Sequence, residues 1–209
     1  MSGLFITFEG GEGAGKSTQT RLLYTALSEM GYVVHLTREP GGSPGAEALR
    51  ELILFSEAPL SQRAQALAHM AARADHLDSL ILPALMRGEI VICDRFHDST
   101  LVYQGYGLAR GDATSLDFIR SLRGLLACEP DLTLMLDVPP ELGAARVAAR
   151  GGKLDRYELE EAAFHKRIAE GFDKVAREAP ERVKRVDARR APDEVATDIL
   201  SIVTPYLPS

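Results

Sequence analysis

One stretch decides most of what this chain can become: Phe8-Glu9-Gly10-Gly11-Glu12-Gly13-Ala14-Gly15-Lys16-Ser17-Thr18. Gly10 to Ser17 satisfies G-x-x-x-x-G-K-[ST], a P-loop whose backbone N–H groups turn inward around phosphate. The glycines permit that concave backbone because no side chain intrudes. Lys16 is placed to meet the β- and γ-phosphates of a nucleotide, and the Ser17 hydroxyl to reach the Mg2+ that bridges them. The flanks suit the motif. Leu4–Phe8 reads as a short buried strand and Ser17 onward as a helix, whose positive N-terminus then faces the phosphates. A chance glycine-rich turn would need neither flank.

At 209 residues the chain reads as one domain, 1–209. Hydrophobic residues make up 45% of it, enough for a core without disulfides or structural metal. The net charge of −6 disfavours a general polyanion binder, so no nucleic-acid partner is expected and an anionic ligand must be met by clustered Arg and Lys. Cys93 and Cys128 form no C-x-x-C and read as small hydrophobes in a reducing compartment. The first strand begins almost at once, leaving no room for a signal peptide, and no apolar run approaches membrane-spanning length. A cytoplasmic protein with no membrane partner is expected. The histidines at 35, 69, 76, 97 and 165 show no zinc spacing.

Apolar runs at Leu4–Phe8, Val33–Thr37, Ile90–Cys93, Leu132–Val138 and Val183–Val186 alternate with helical patterns near 17–30, 44–55, 62–87, 113–127, 140–150, 158–179 and 192–206. Continuous apolar strands separated by helices predict an α/β fold, a parallel sheet with helices on both faces. Ligands on such sheets bind beyond the carboxyl ends of the strands. Those ends carry the P-loop, then Arg38-Glu39-Pro40-Gly41-Gly42, then Asp94-Arg95, then Pro139 before a basic helix. Ile90-Val91-Ile92-Cys93-Asp94 has the Walker B form, placing a carboxylate at the metal with Ser17. Arg95 offers a planar fork to a phosphate, or an ion pair to a neighbouring carboxylate. Arg146 and Arg150 share a helix face, and Lys153 and Arg156 follow across Gly151-Gly152. That cluster suggests a flap closing over polyphosphate, with a solvated charged helix as the competing reading. By spacing alone His69, Arg73 and His76 form a solvent face, and Pro83 should kink the long helix or end its regular part.

Taken together the segments resemble the thymidylate kinase family, from Phe5 to about Asp187. The signatures are Phe8-Glu9-Gly10…Gly15-Lys16-Ser17, Thr37-Arg38-Glu39-Pro40-Gly41-Gly42, Asp94-Arg95-Phe96, Tyr103-Gln104-Gly105 and Leu154-Asp155-Arg156. The P-loop alone names a superfamily; the other blocks in register with it are far more specific. The resemblance implies a P-loop NTPase three-layer sandwich with a five-stranded parallel sheet, usually a homodimer, that transfers phosphoryl from ATP to dTMP with Mg2+. Glu12 and Gly13 stand where one subgroup carries acid then arginine, so the chain is similar to the bacterial type, with catalytic arginines in a flap at about 146–158.

The same resemblance implies an ATP site at Gly10, Gly11, Glu12, Gly13, Ala14, Gly15, Lys16, Ser17 and Thr18, with Arg146 near the adenine. Arg38, Glu39, Pro40, Arg50, His69, Arg73, Thr100, Tyr103 and Gln104 would form the dTMP site, which moves Arg73 off the solvent face. Lys16, Arg95, Arg150 and Glu12 would be catalytic, with Arg95 gripping the acceptor phosphate and Glu12 placing it. His69 stands where the family commonly has a stacking Phe, and carries less apolar area and a titratable proton. Two extra residues precede Arg110 and leave its role open. An acceptor phosphate has a second pKa of about 6 and needs no strong base. Three rivals stand beside this reading. A kinase of nucleosides would need a base such as Glu9 or Glu12. A guanine-reading switch would carry Asn-Lys-x-Asp, which is absent from the sequence. A binding-only protein would not need the intact lysine, hydroxyl, carboxylate and arginines.

Overall fold

The computed structural model describes residues 3–57, 59–126, 128–151 and 154–208. Its centre is β1 (Leu4–Glu9), buried along its whole length. The other strands are β2 (Val34–Arg38), β3 (Ile90–Asp94), β4 (Leu132–Asp137) and β5 (Val183–Asp187), all parallel in the order β2-β3-β1-β4-β5. Side chains alternate across the sheet. Leu4, Ile6, Phe8, Ile90 and Ile92 pack with Leu23 and Leu27 of α1 (Lys16–Glu29) and Ile199 of α9 (Pro192–Val203). Phe5, Val91 and Cys93 pack on the other face with Leu77, Ile81 and Phe96. Burial on both faces is why these strands are continuous apolar runs rather than alternating ones.

The remaining helices are α2 (Pro44–Phe55), α3 (Gln62–His76), α4 (Leu82–Met86), α5 (His97–Thr100), α6 (Ala113–Leu126), α7 (Pro140–Arg150) and α8 (Ala162–Glu178). The long helix expected at 62–87 loses its regular form at Leu77–Ile81, a π-helical turn directly before Pro83. Pro83 then falls in the first turn of α4, where a missing N–H costs least. The helix expected from 158 begins at Ala162. One segment is not legible in the periodicity: α5 runs on as a π-helix from Leu101 to Leu108. It is buried nearly all round, so it shows no amphipathic stripe, and its glycines weaken the helical signal. Gly107 is needed there because a Cβ would lie 2.6 Å from Phe164 Cε2.

Register positions the site. Asp94 pairs with Phe8 on one side and Arg38 on the other, so β1, β2 and β3 end on one line. The P-loop, the Arg38-Glu39-Pro40 turn and Asp94-Arg95 therefore share one rim of the sheet.

Candidate active site

Between β1 and α1 the P-loop turns on Gly10, Gly13 and Gly15, with φ of 139°, 69° and 92°. A Cβ on Gly13 would sit 2.1 Å from the Gly143 carbonyl oxygen, so the loop rests backbone to backbone on α7. Lys16 folds across its own loop, Nζ donating to the Gly10 and Gly11 carbonyls at 3.1 and 2.8 Å. Burial and then Arg95 push its pKa below the ordinary lysine value, with Glu12 opposing. Ser17 Oγ donates to Asp94 Oδ2 at 2.9 Å, while Asp94 Oδ1 is buried with no hydrogen-bond partner among the described residues. A hydroxyl and a carboxylate oxygen left over are the hard donors that suit Mg2+.

Arg95 sits beside this loop in the left-handed region, φ 72°. Its guanidinium reaches Glu12 Oε1 at 2.7 Å, the Gly10 carbonyl at 3.0 Å and Ser99 Oγ at 3.1 Å, and lies over the Tyr103 ring. The Tyr103 hydroxyl donates to the same Glu12 oxygen at 2.7 Å. Burial alone would raise Glu12, but Arg95, Lys16 and Tyr103 together bring its pKa down to about 2. Arg95 thus makes the carboxylate ion pair and still lines the cavity. Glu9 lies deeper, accepting from Phe96 N, Ser99 N and Ser99 Oγ. Burial, followed by the negative charge of Asp98, raises it to about 7.

The far half of the cavity is built on a buried ion pair. Arg73 is 2% exposed and its Nε donates to Glu39 Oε2 at 2.7 Å, with Nη2 on Thr100 Oγ1 at 3.0 Å. His76 is fully buried between Glu39 Oε1 and Thr37 Oγ1. The solvent face that spacing suggested for His69, Arg73 and His76 is therefore an interior face. Helical periodicity separates faces but does not say which one an ionic partner will cover. Arg50 holds the Pro40 carbonyl at 2.7 Å, and Arg38 pairs with Glu47 at the rim. His69 hydrogen-bonds the Tyr157 hydroxyl at 3.2 Å.

These residues enclose one cavity of about 430 Å3, lined from Glu12 to Thr18 on one side and by Arg38, Glu39, Pro40, Arg50, His69, Arg73, Thr100, Tyr103 and Gln104 on the other. Asp94, Arg95, Arg146 and Arg150 complete the wall between them. Arg146 is anchored to the Ala188 carbonyl at 3.0 Å, and Arg150 to Glu158 at 2.7 Å. Gly10 and Gly11 contribute carbonyls to Lys16 rather than lining. Arg156 donates to the Ser56 carbonyl and is not part of the wall. Lys153 and the Gly152 of the expected hinge lie outside the described residues. Arg110 is exposed on a turn at φ 54°.

Spacing missed Ser99, Tyr157 and Glu158, which also line the cavity or brace its walls. Leu154-Asp155-Arg156 pointed to the segment, but nothing in the pattern marked the tyrosine after it.

His69 does not behave as a titrating group here. Burial, then Arg73, lowers its pKa to about 3, so the folded protein keeps it neutral while the unfolded chain gains a proton below about 6.5. Its contribution to stability is therefore lost as pH falls from about 6.5 toward 3. Relative to His69→Phe, the wild type is expected to lose on the order of 2 kcal/mol between about pH 7 and pH 5. Parallel denaturant midpoints for the two proteins over that range would contradict this.

The site agrees with what the chain is similar to. The thymidylate kinase family model matches residues 8–199. The thymidylate kinase of Gluconobacter oxydans (strain 621H) is 60% identical over 201 residues, covering 96% of this chain and 94% of that protein. That of Synechococcus sp. (strain JA-2-3B'a(2-13)) is 48% identical over 207 residues, covering 98% and 96%. The crystal structure of thymidylate kinase from Ehrlichia chaffeensis superposes with a TM-score of 0.77 at 33% identity, covering 97% of this chain and 99% of that one. A P-loop fused through Arg95 to an ion-paired pocket, on a chain matched along almost its whole length, places the protein in the thymidylate kinase family.

Proposed function

We propose that this protein transfers the γ-phosphoryl group of ATP to dTMP, giving ADP and dTDP for dTTP synthesis. The observation that carries it is Glu12 held by Arg95 and Tyr103 at the join of the two half-cavities. A carboxylate whose pKa is about 2 is a poor proton acceptor, and Glu9, though raised to about 7, lies under the Phe96 and Ser99 N–H groups and off the cavity wall. The site therefore suits an acceptor already ionised, a phosphate, over a hydroxyl that needs a base.

In this reading the P-loop amides and Lys16 hold the donor's β- and γ-phosphates, and Arg146 lies toward the adenine. Arg95 grips the dTMP phosphate and Glu12 helps to place it. Arg38, Glu39, Pro40, Arg50, His69, Arg73, Thr100, Tyr103 and Gln104 hold the deoxythymidine. Ser17 and Asp94 would hold Mg2+, partly through water; when bound, it neutralises phosphate charge. Catalysis is then alignment of two anions and cancellation of their repulsion by Lys16, Arg95 and the flap arginines. We read residues 1–209 as one kinase domain with a flap at about 146–158, acting in the cytoplasm as a homodimer on small nucleotides and not on nucleic acid. No helix among the described residues is long and apolar enough to cross a membrane. A light-scattering mass of one chain would contradict the dimer.

The test is ADP formation from ATP and Mg2+ with dTMP, dUMP, dCMP, dGMP and thymidine offered separately. Preference for dTMP is expected; activity with thymidine alone would move the assignment to a nucleoside kinase. Arg150 lines the cavity and, among the described residues, pairs with Glu158 of the flap. Arg150→Ala is expected to lower kcat by roughly tenfold or more while changing the dTMP KM less. A pure KM effect would contradict its role at the transferring group.

A further inference from the structure

Tyr157 belongs to the flap segment yet is only 5% exposed, its ring stacked on Phe164 and edge-on to Tyr103. Among the described residues its hydroxyl meets three side chains: Gln104 Nε2 at 2.9 Å, His69 Nε2 at 3.2 Å and Gln65 Oε1 at 3.4 Å. The direction of these bonds follows from one fixed end. The Leu60 carbonyl can only accept, and Gln65 Nε2 donates to it at 3.1 Å. That turns the Gln65 amide so that Oε1 faces Tyr157 and takes the single phenolic proton. The phenol oxygen is left to accept, from Gln104 Nε2–H and from His69 Nε2–H.

Gln104 therefore spends its amino group on Tyr157, and its Oε1 is buried with no hydrogen-bond partner among the described residues. A buried acceptor left unpaired is costly unless a ligand supplies a donor. A donor lines the same cavity: the Arg73 guanidinium is held on Thr100, four residues before Gln104 on the same helical segment. Donor beside acceptor is the complement of thymine or uracil, which show a carbonyl next to a ring N–H. Cytosine shows an amino group next to a bare ring nitrogen, the reverse order.

Building on the dTMP kinase reading, we propose that Tyr157 is a positioning residue for base selection. Held by Gln65 and His69, its hydroxyl locks the Gln104 amide with the oxygen as the pocket's acceptor, so that the cavity takes a base with a ring N–H and rejects cytosine. Gln65 acts from outside the cavity, which it does not line.

The experiment measures equilibrium binding of dTMP and dCMP to the wild type, Tyr157→Phe, Gln65→Leu and Gln65→Glu, with ADP formation from dTMP followed in parallel. Tyr157→Phe keeps the packed ring and frees the amide to turn. It is expected to lower the ratio of dTMP to dCMP affinity by about tenfold or more. Gln65→Leu should lower the ratio in the same direction, and Gln65→Glu, whose carboxylate still accepts the phenolic proton, should keep it. Equal losses for both nucleotides in Tyr157→Phe, leaving the ratio unchanged, would reduce Tyr157 to packing and overturn the proposal. A shifted ratio with no ADP formed from dTMP by the wild type would remove the kinase reading and leave the relay standing.

Discussion

Arg95→Ala is expected to lower kcat for dTMP phosphorylation by roughly 10²–10³-fold, the cost of removing one preorganised charge from a transfer site. Arg95 is the cation on which both half-cavities close. It holds Glu12, the Gly10 carbonyl and Ser99, and it covers the Tyr103 ring. Without it, the burial that raises Glu12 is opposed mainly by Lys16 and Tyr103, and the carboxylate loses its largest stabilising partner. Backbone strain does not confuse the result. Alanine also carries a Cβ, so the left-handed φ of 72° is equally unfavourable before and after the change. Steady-state kinetics with a thermal melt as control would decide it; a kcat within a few fold of wild type would remove Arg95 from the transfer step.

The second large effect concerns stability. Arg73→Ala is expected to cost about 3–5 kcal/mol, because it leaves Glu39 buried beside a neutral gap. Arg73 and Glu39 are 2% and 3% exposed at the side chain, and their bond is 2.7 Å. Arg73→Met with Glu39→Gln removes both charges at similar volume and should recover part of that loss. His76 and Thr100 keep hydrogen-bonding groups at the two ends of the pair. Denaturant unfolding of the two variants gives the comparison. A loss below about 1 kcal/mol in Arg73→Ala would mean that water or a neighbour compensates the carboxylate.

What was legible in the sequence follows from how local each demand is. The P-loop needs glycine φ values, a lysine and a hydroxyl within eight consecutive positions, so its chemistry and its spelling coincide. The strands were legible because a sheet covered on both faces must be apolar throughout, and Ile90-Val91-Ile92-Cys93 has no other comfortable place. The interior face of α3 was not legible. Arg73 is buried by Glu39, 34 residues earlier, and no periodicity within a helix reports a partner in a distant turn. Only the family resemblance moved Arg73 inward, and it left His76 outside. Tyr157 shows the same limit, since Gln104 and His69 lie 53 and 88 residues before it.

The contact between Gly13 and Gly143 has a mechanical meaning. A Cβ on Gly143 would lie 2.4 Å from the Glu12 carbonyl oxygen, so neither side of the joint can carry a side chain. The helix bearing Arg146 and Arg150 is thus a lever whose fulcrum is the P-loop itself. A single methyl group on either glycine would push the P-loop and the helix apart, because each backbone leaves the other no room for a Cβ.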